Sequence, residues 1–131
     1  MVKKKILDYT AEELLQFARD NYPQYFIKPT KKHKKSVYFR RTVMYLLWDI
    51  GIKVGEIAKM LGETHPNVSI ALPRVRSYFS TDGATLFFEC YNEFVEKFNS
   101  HKTLKSNDSL VANTQENGPN SQSAVSNLVF G

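Results

Sequence analysis

The chain has 131 residues and a mass of 15.1 kDa, room for one domain with a tail, which excludes two large domains. Hydrophobic residues make up 42% and aromatics 13%, enough for a core, which argues against a wholly disordered chain. With 18 Lys+Arg against 13 Asp+Glu the formal charge is +5, and the single cysteine, Cys90, excludes an internal disulfide and a cysteine-based zinc cluster.

In chain order the spacing predicts five helices and no strand. Thr10 and Glu13 form a capping box, with Leu14, Leu15, Phe17 and Ala18 as an apolar face, so the first helix covers about 11–21. Pro23 stops it, and Tyr22, Tyr25, Phe26 and Ile27 read as an aromatic connector that packs back onto the core. A second helix covers about 34–50, with Val43, Leu46, Leu47 and Ile50 on one face and Gly51 closing it. A third, about 54–61, repeats that spacing in Val54, Ile57, Ala58 and Leu61 and ends at Gly62. Thr64 then caps a fourth helix whose inner face is Val68, Ala71, Leu72, Val75 and Phe79. Pro66 suits its first turn, whereas Pro73 is expected to kink or shorten it near 69–72. The last helix is expected from Asp82 to about Asn99, with a seam of Phe87, Cys90, Tyr91, Phe94 and Phe98. Beyond it, 12 of the 33 residues from Asn99 to Gly131 are Asn or Ser, and 106–127 carry no apolar period, so 100–131 read as a disordered tail. The expected organisation is thus an N-terminal helix and connector over 1–30, a helical domain over 31–99, and that tail.

The charge is not spread evenly. Residues 1–41 hold 11 Lys+Arg and 4 Asp+Glu, a net of +7, while 42–131 hold 7 and 9, a net of −2. Lys28, Lys31, Lys32, Lys34, Lys35, Arg40 and Arg41 fall within 14 residues that contain no acid. Such a run suits a polyanion, because neutralising phosphates releases condensed counterions; the plainer alternative is a solvated loop or a frayed helix start. No strongly apolar face accompanies it, no stretch approaches the ~18 residues of a membrane span, and no signal core follows the basic start. A cytoplasmic, nucleoid-associated protein without a membrane partner is the expectation.

A short helix, a glycine-containing turn and a second helix of similar period have the sequence shape of a helix-turn-helix. On its second helix Thr64, His65, Asn67, Ile70 and Arg74 fall at outer positions and are the candidate base readers. Asn67 suits adenine, Arg74 suits guanine or phosphate, and Ile70 suits a thymine methyl. Lys31, Lys32, Lys34, Lys35, Arg40, Arg41 and Lys53 are the candidates for phosphate or minor-groove contact, with Asp49 or Glu56 as alternative structural partners for the two arginines. Tyr45 and Trp48 read as core rather than as a base-stacking platform, and Cys90 as a small buried hydrophobe. The aromatic seam also allows a homodimer through the last helix.

Residues 40–76, RRTVMYLLWDIGIKVGEIAKMLGETHPNVSIALPRVR, resemble the C-terminal DNA-binding domain of the bacterial replication initiator DnaA. Arg40 falls on that family's arginine, Met44-Tyr45-Leu46-Leu47 on its MYLL, Gly55-Glu56-Ile57-Ala58 on its PEIG, and Leu61-Gly62 on its FG. His65, Pro66, Asn67 and Val68 fall on its HTTV, Ala71 on its small residue and Arg74 on a basic position, and the basic run before Arg40 matches its basic segment. The resemblance implies a small all-α bundle of the DnaA C-terminal or Trp-repressor-like kind, with duplex DNA as partner and no cofactor. Thr64 stands where the family has an acid and Pro66 where it has a threonine, so the initiator's own origin box is not implied. No G-x-x-x-x-G-K-[ST] loop occurs, so its nucleotide-hydrolysing part is not implied either. The expected function is sequence-specific or semi-specific binding of double-stranded DNA in replication or transcription control. The alternative is a protein-interaction adaptor of a phage or mobile-element replication complex. No nucleophile–base pair or carboxylate pair appears at usable spacing, so no enzyme is expected.

Overall fold

The computed structural model describes residues 3–27, 34–81 and 83–117, with side chains described as far as Leu104. The described residues form six helices and no strand: α1 (Ala11–Asn21), α2 (Pro23–Phe26), α3 (Lys34–Asp49), α4 (Val54–Leu61), α5 (His65–Phe79) and α6 (Thr85–Asn117). A small all-α bundle is therefore the architecture.

The helix ends follow local chemistry. The Thr10 side chain caps α1 reciprocally with Glu13, as the sequence predicts. Gly51, at φ +94°, closes α3: its N–H bonds the Trp48 carbonyl and the Ile52 N–H bonds Leu47 O. Gly62, at φ +66°, does the same for α4, with Gly62 N–H on Lys59 O and Glu63 N–H on Ala58 O at 2.8 Å. Both are Schellman closures, which need a left-handed residue that glycine adopts without strain.

Three sequence expectations are corrected. The aromatic connector contains a helical turn, α2, opened by Pro23 at its first position; Tyr22 is buried, Tyr25 and Phe26 pack on the core, but Ile27 is exposed. Pro73 does not shorten α5, which runs to Phe79; the Ser69 carbonyl that loses its donor belongs to an exposed residue, where water can satisfy it. Finally, α6 starts at Thr85 rather than Asp82 and runs to Asn117 rather than Asn99. Residues 100–117 lack an apolar period but contain neither Gly nor Pro, the strongest breakers, until Gly118-Pro119. The remainder of the expected tail, 118–131, lies outside the described residues.

The first compact unit spans residues 1–98. Its core joins Leu14, Phe17 and Ala18 of α1, Val43, Leu46 and Leu47 of α3, Ile57 of α4, Val68 and Val75 of α5, and the α6 seam. The aromatic rings set its geometry. Phe17 meets Phe94 and Phe98 edge-on at 5.4 and 5.3 Å, and Phe79 meets Phe87 and Tyr91 at 5.4 and 5.1 Å. Edge-to-face pairs of this kind each add about 0.5–1.5 kcal/mol beyond area burial. All five seam residues are at most 3% exposed, so the aromatics that suggested a homodimer are enclosed in the chain's own core. Cys90 sits among them as expected, and burial pushes its thiol up to about 11.

The segment before α1 is tied down as well. Lys4 N–H donates to Asn92 Oδ1 at 2.9 Å, the Lys4 ammonium pairs with Glu96, and Tyr9 Oη donates to the Leu46 carbonyl at 2.7 Å. Of the second unit, residues 99–131, the described part is helical. Among the described residues no helix is long and apolar enough to cross a membrane.

Candidate nucleic-acid interface

The three residues Gly62, Glu63 and Thr64 join α4 to α5, which pack against one another and against α3. The turn fixes where α5 begins: Thr64 Oγ1 accepts from the Asn67 N–H at 3.3 Å, and Pro66 sits in the first turn where its missing N–H is harmless. The buried stripe of α5 is Val68, Ala71, Leu72 and Val75. At about 3.6 residues per turn, Pro66, Ile70, Pro73 and Ser77 then lie along the outermost line, flanked by Asn67 and Arg74 on one side and His65, Ser69 and Arg76 on the other. All of these flanking and crest residues are exposed.

The structure separates the five candidate base readers. Asn67 and Ile70 reach a cleft of about 200 Å³ between α3 and α5, whose wall also includes Arg40, Arg41 and Glu63. Thr64 acts as the helix cap. His65 leans back toward α4, with its Cδ2 3.8 Å from the place a Gly55 Cβ would take and its Nδ1 3.3 Å from Ser69 Oγ. Arg74 is exposed farther along α5 and takes no part in the cleft.

Of the candidate phosphate contacts, Lys31 and Lys32 lie outside the described residues. Lys34 and Lys35 are exposed in the first turn of α3, which contains no acid, and exposed Lys53 occupies the N-cap position of α4. Cations at a helix N-terminus oppose the helix dipole by a few tenths of a kcal/mol each, a cost that a bound anion would remove.

Arg40 is a correction. It is 7% exposed and each of its guanidinium nitrogens is bonded: Nε donates to Glu63 Oε2 at 2.9 Å, Nη1 to the Tyr25 carbonyl at 3.0 Å and Nη2 to the Leu61 carbonyl at 2.7 Å. With every guanidinium nitrogen bonded to protein, it ties α3 to α2 and to the α4–α5 turn. Its acid is Glu63, neither Asp49 nor Glu56. Arg41 differs: half-buried, it donates to Tyr78 Oη at 2.7 Å and borders the cleft.

Comparison with protein-family models, curated proteins and solved structures finds no match for this chain. The site is therefore read from its own geometry.

Sequence reasoning missed two features here. Glu63 is central: Oε2 receives Arg40, and Oε1 accepts from Asn67 Nδ2 at 3.3 Å. The Glu63–Asn67 spacing of four residues was a readable signal, whereas the Arg40 pairing, 23 residues apart, was not. Trp48 was expected in the core; it is 39% exposed, with the Arg76 guanidinium 5.8 Å from its ring centroid. Tyr45 is half-buried and packs edge-on against Phe79 at 5.0 Å. Among the described residues no group of three or more His, Cys, Asp or Glu side chains is placed to hold a metal ion.

Proposed function

We propose that this chain binds double-stranded DNA through α4 and α5 used as a helix-turn-helix, in the manner of the initiator domain that residues 40–76 resemble. The observation that carries the reading is the pairing of a capped, outward-facing α5 with exposed cations at the starts of α3 and α4, Lys34 and Lys35 in a first turn that contains no acid. Core packing braces α5 on α3 and α4, while Asn67 and Arg74 remain on its exposed surface. Lys34, Lys35 and Lys53 supply charge where a phosphate would meet helix N-termini. Arg41 on the cleft wall and exposed Arg76 on α5 add further charge, and Arg40 serves the fold. The reading is a binding module with no catalytic step.

In vitro selection of bound duplexes from a random pool, read at two salt concentrations, tests it. Enriched sequences together with loss of binding at the higher salt are expected; an unenriched pool at low salt would remove the idea.

One observation favours a second reading, a protein-interaction adaptor. The crest of α5 carries Pro66, Ile70 and Pro73, an exposed line with Ile70 53% accessible and little hydrogen-bonding capacity. Ile70 suits a thymine methyl as well as a partner's apolar side chain. The same selection separates the two readings, since an adaptor enriches no duplex.

A further inference from the structure

We infer that Glu63, clamped by Arg40, presets the Asn67 carboxamide to receive the major-groove edge of adenine, so that a buried ion pair sets the base preference of α5. The inference rests on the DNA-binding reading above.

A carboxylate oxygen can only accept, so the group that Asn67 turns toward Glu63 Oε1, 3.3 Å away, is its Nδ2 amide and not its Oδ1. Reversing the amide would set two acceptors against each other. One N–H and the Oδ1 lone pairs then remain for a ligand, a donor and an acceptor side by side in fixed order. Adenine presents their complement, the N6 amino donor beside the N7 acceptor. Guanine offers two acceptors there, cytosine a donor, and thymine an acceptor beside a methyl group. A carboxamide free to reverse would meet several of these edges with one bond each. Held in one sense, it meets adenine with two.

The holding group is itself held. The Glu63 N–H is bonded to Ala58 O by the glycine closure of α4, and its Oε2 lies against Arg40. The Arg40 and Glu63 side chains are only 8% and 12% exposed, so water screens the pair weakly. Because Oε2 is occupied and the charge is balanced, Glu63 neither competes for a cytosine amino group nor repels a nearby phosphate. Arg40 and Glu63 are thus positioning residues that act through Asn67.

The test is fluorescence anisotropy on a duplex selected by the wild-type chain, with each adenine in turn replaced by 7-deazaadenine, which lacks the N7 acceptor. The wild type is expected to lose roughly 5- to 150-fold in affinity at one position, and Asn67→Ala to abolish that discrimination. Glu63→Gln, whose amide tolerates either sense of Asn67, is expected to compress the discrimination to within about threefold while random-duplex affinity holds. That variant leaves Arg40 buried without its counter-charge and is prone to unfold. Arg40→Met/Glu63→Met removes the pair without leaving a buried charge, is expected to stay folded while melting below the wild type because the Tyr25 and Leu61 carbonyls lose their donor, and should show the same compression. A folded pair variant that keeps the wild-type discrimination, while Asn67→Ala loses it, would overturn the positioning role and leave the DNA reading standing. If the wild type binds no duplex, or Asn67→Ala discriminates as the wild type does, the reading of Asn67 fails and this inference with it.

Discussion

The Arg76 guanidinium lies 5.8 Å from the centroid of the Trp48 ring, joining the last turn of α5 to the C-terminal end of α3. A cation over an indole at an exposed site contributes about 0.5–1 kcal/mol, so the contact is weak enough for a phosphate to compete for the arginine. Trp48 is also the chain's one tryptophan. Intrinsic fluorescence therefore reports on this contact: emission is expected to change on duplex addition, and Arg76→Ala to reproduce much of the change without DNA. Emission that ignores a saturating duplex would place Arg76 away from the interface.

The two neighbouring arginines of α3 should part company under mutation. Arg40→Ala removes the counter-charge of buried Glu63 and is expected to cost about 3–5 kcal/mol in urea unfolding, with the salt slope of DNA binding unchanged. Arg41→Ala is expected to cost far less stability and to lower the slope. Ser36, 1% exposed with no partner for its hydroxyl, gives a contrast: Ser36→Ala should be neutral or stabilising.

For duplex binding carried by four or five cations, log K against log salt is expected to fall with a slope of roughly −4. Lys34→Ala, Lys35→Ala and Lys53→Ala should each reduce that slope by about 1 and weaken all sequences alike. Without DNA the sign reverses, because Lys34→Glu and Lys35→Glu place acids at the N-terminus of α3 and should raise the melting temperature slightly. Titrations at several salt concentrations, paired with thermal melts, check both halves. A slope unmoved by all three alanine variants would remove them from the contact set.

Alkaline stability follows from the core. Burial pushes the Cys90 thiol up to about 11, and it raises the Tyr9, Tyr22 and Tyr91 phenols as well, Tyr22 with help from its hydrogen bond to Glu93. The folded state holds these protons to higher pH than the unfolded state does. Their contribution is complete below the unfolded values, near 9 for the thiol, and is lost as pH rises toward the folded ones. Urea midpoints are expected to be level to about pH 8.5 and to fall by pH 10.5, with Cys90→Ser flattening part of the decline. Native Cys90 should also resist thiol reagents at pH 8, which an absorbance assay reads directly.

Legibility in the sequence depended on how local each cause was. The bounds of α1 and α4 and the start of α5 could be read because their determinants, Thr10 with Glu13, Gly62 and Thr64, lie within a few residues of the ends they set. The roles of Arg40 and Trp48 could not, because burial is decided by elements 15 to 37 residues away, as with Tyr25 and Glu63 for Arg40 and the Tyr78 hydroxyl for Arg41. The far part of α6 was missed for the opposite reason: without an apolar period, only the absence of breakers marked it. Asn67 and Arg74 were readable as exposed helix positions, yet the acid that orients Asn67 became visible only once the turn was folded.

The bond from Lys4 to Asn92 spans 88 positions of sequence, and the Lys4 ammonium reaches four residues further, to Glu96. During synthesis the opening segment emerges long before α6 exists, so it has no docking site until the helix that receives it has cleared the ribosome. Closure of this core therefore waits for α6, and until then α1 through α5 keep their ring-lined side uncovered. A chain stalled just before α6 would expose that side to chaperones and proteases.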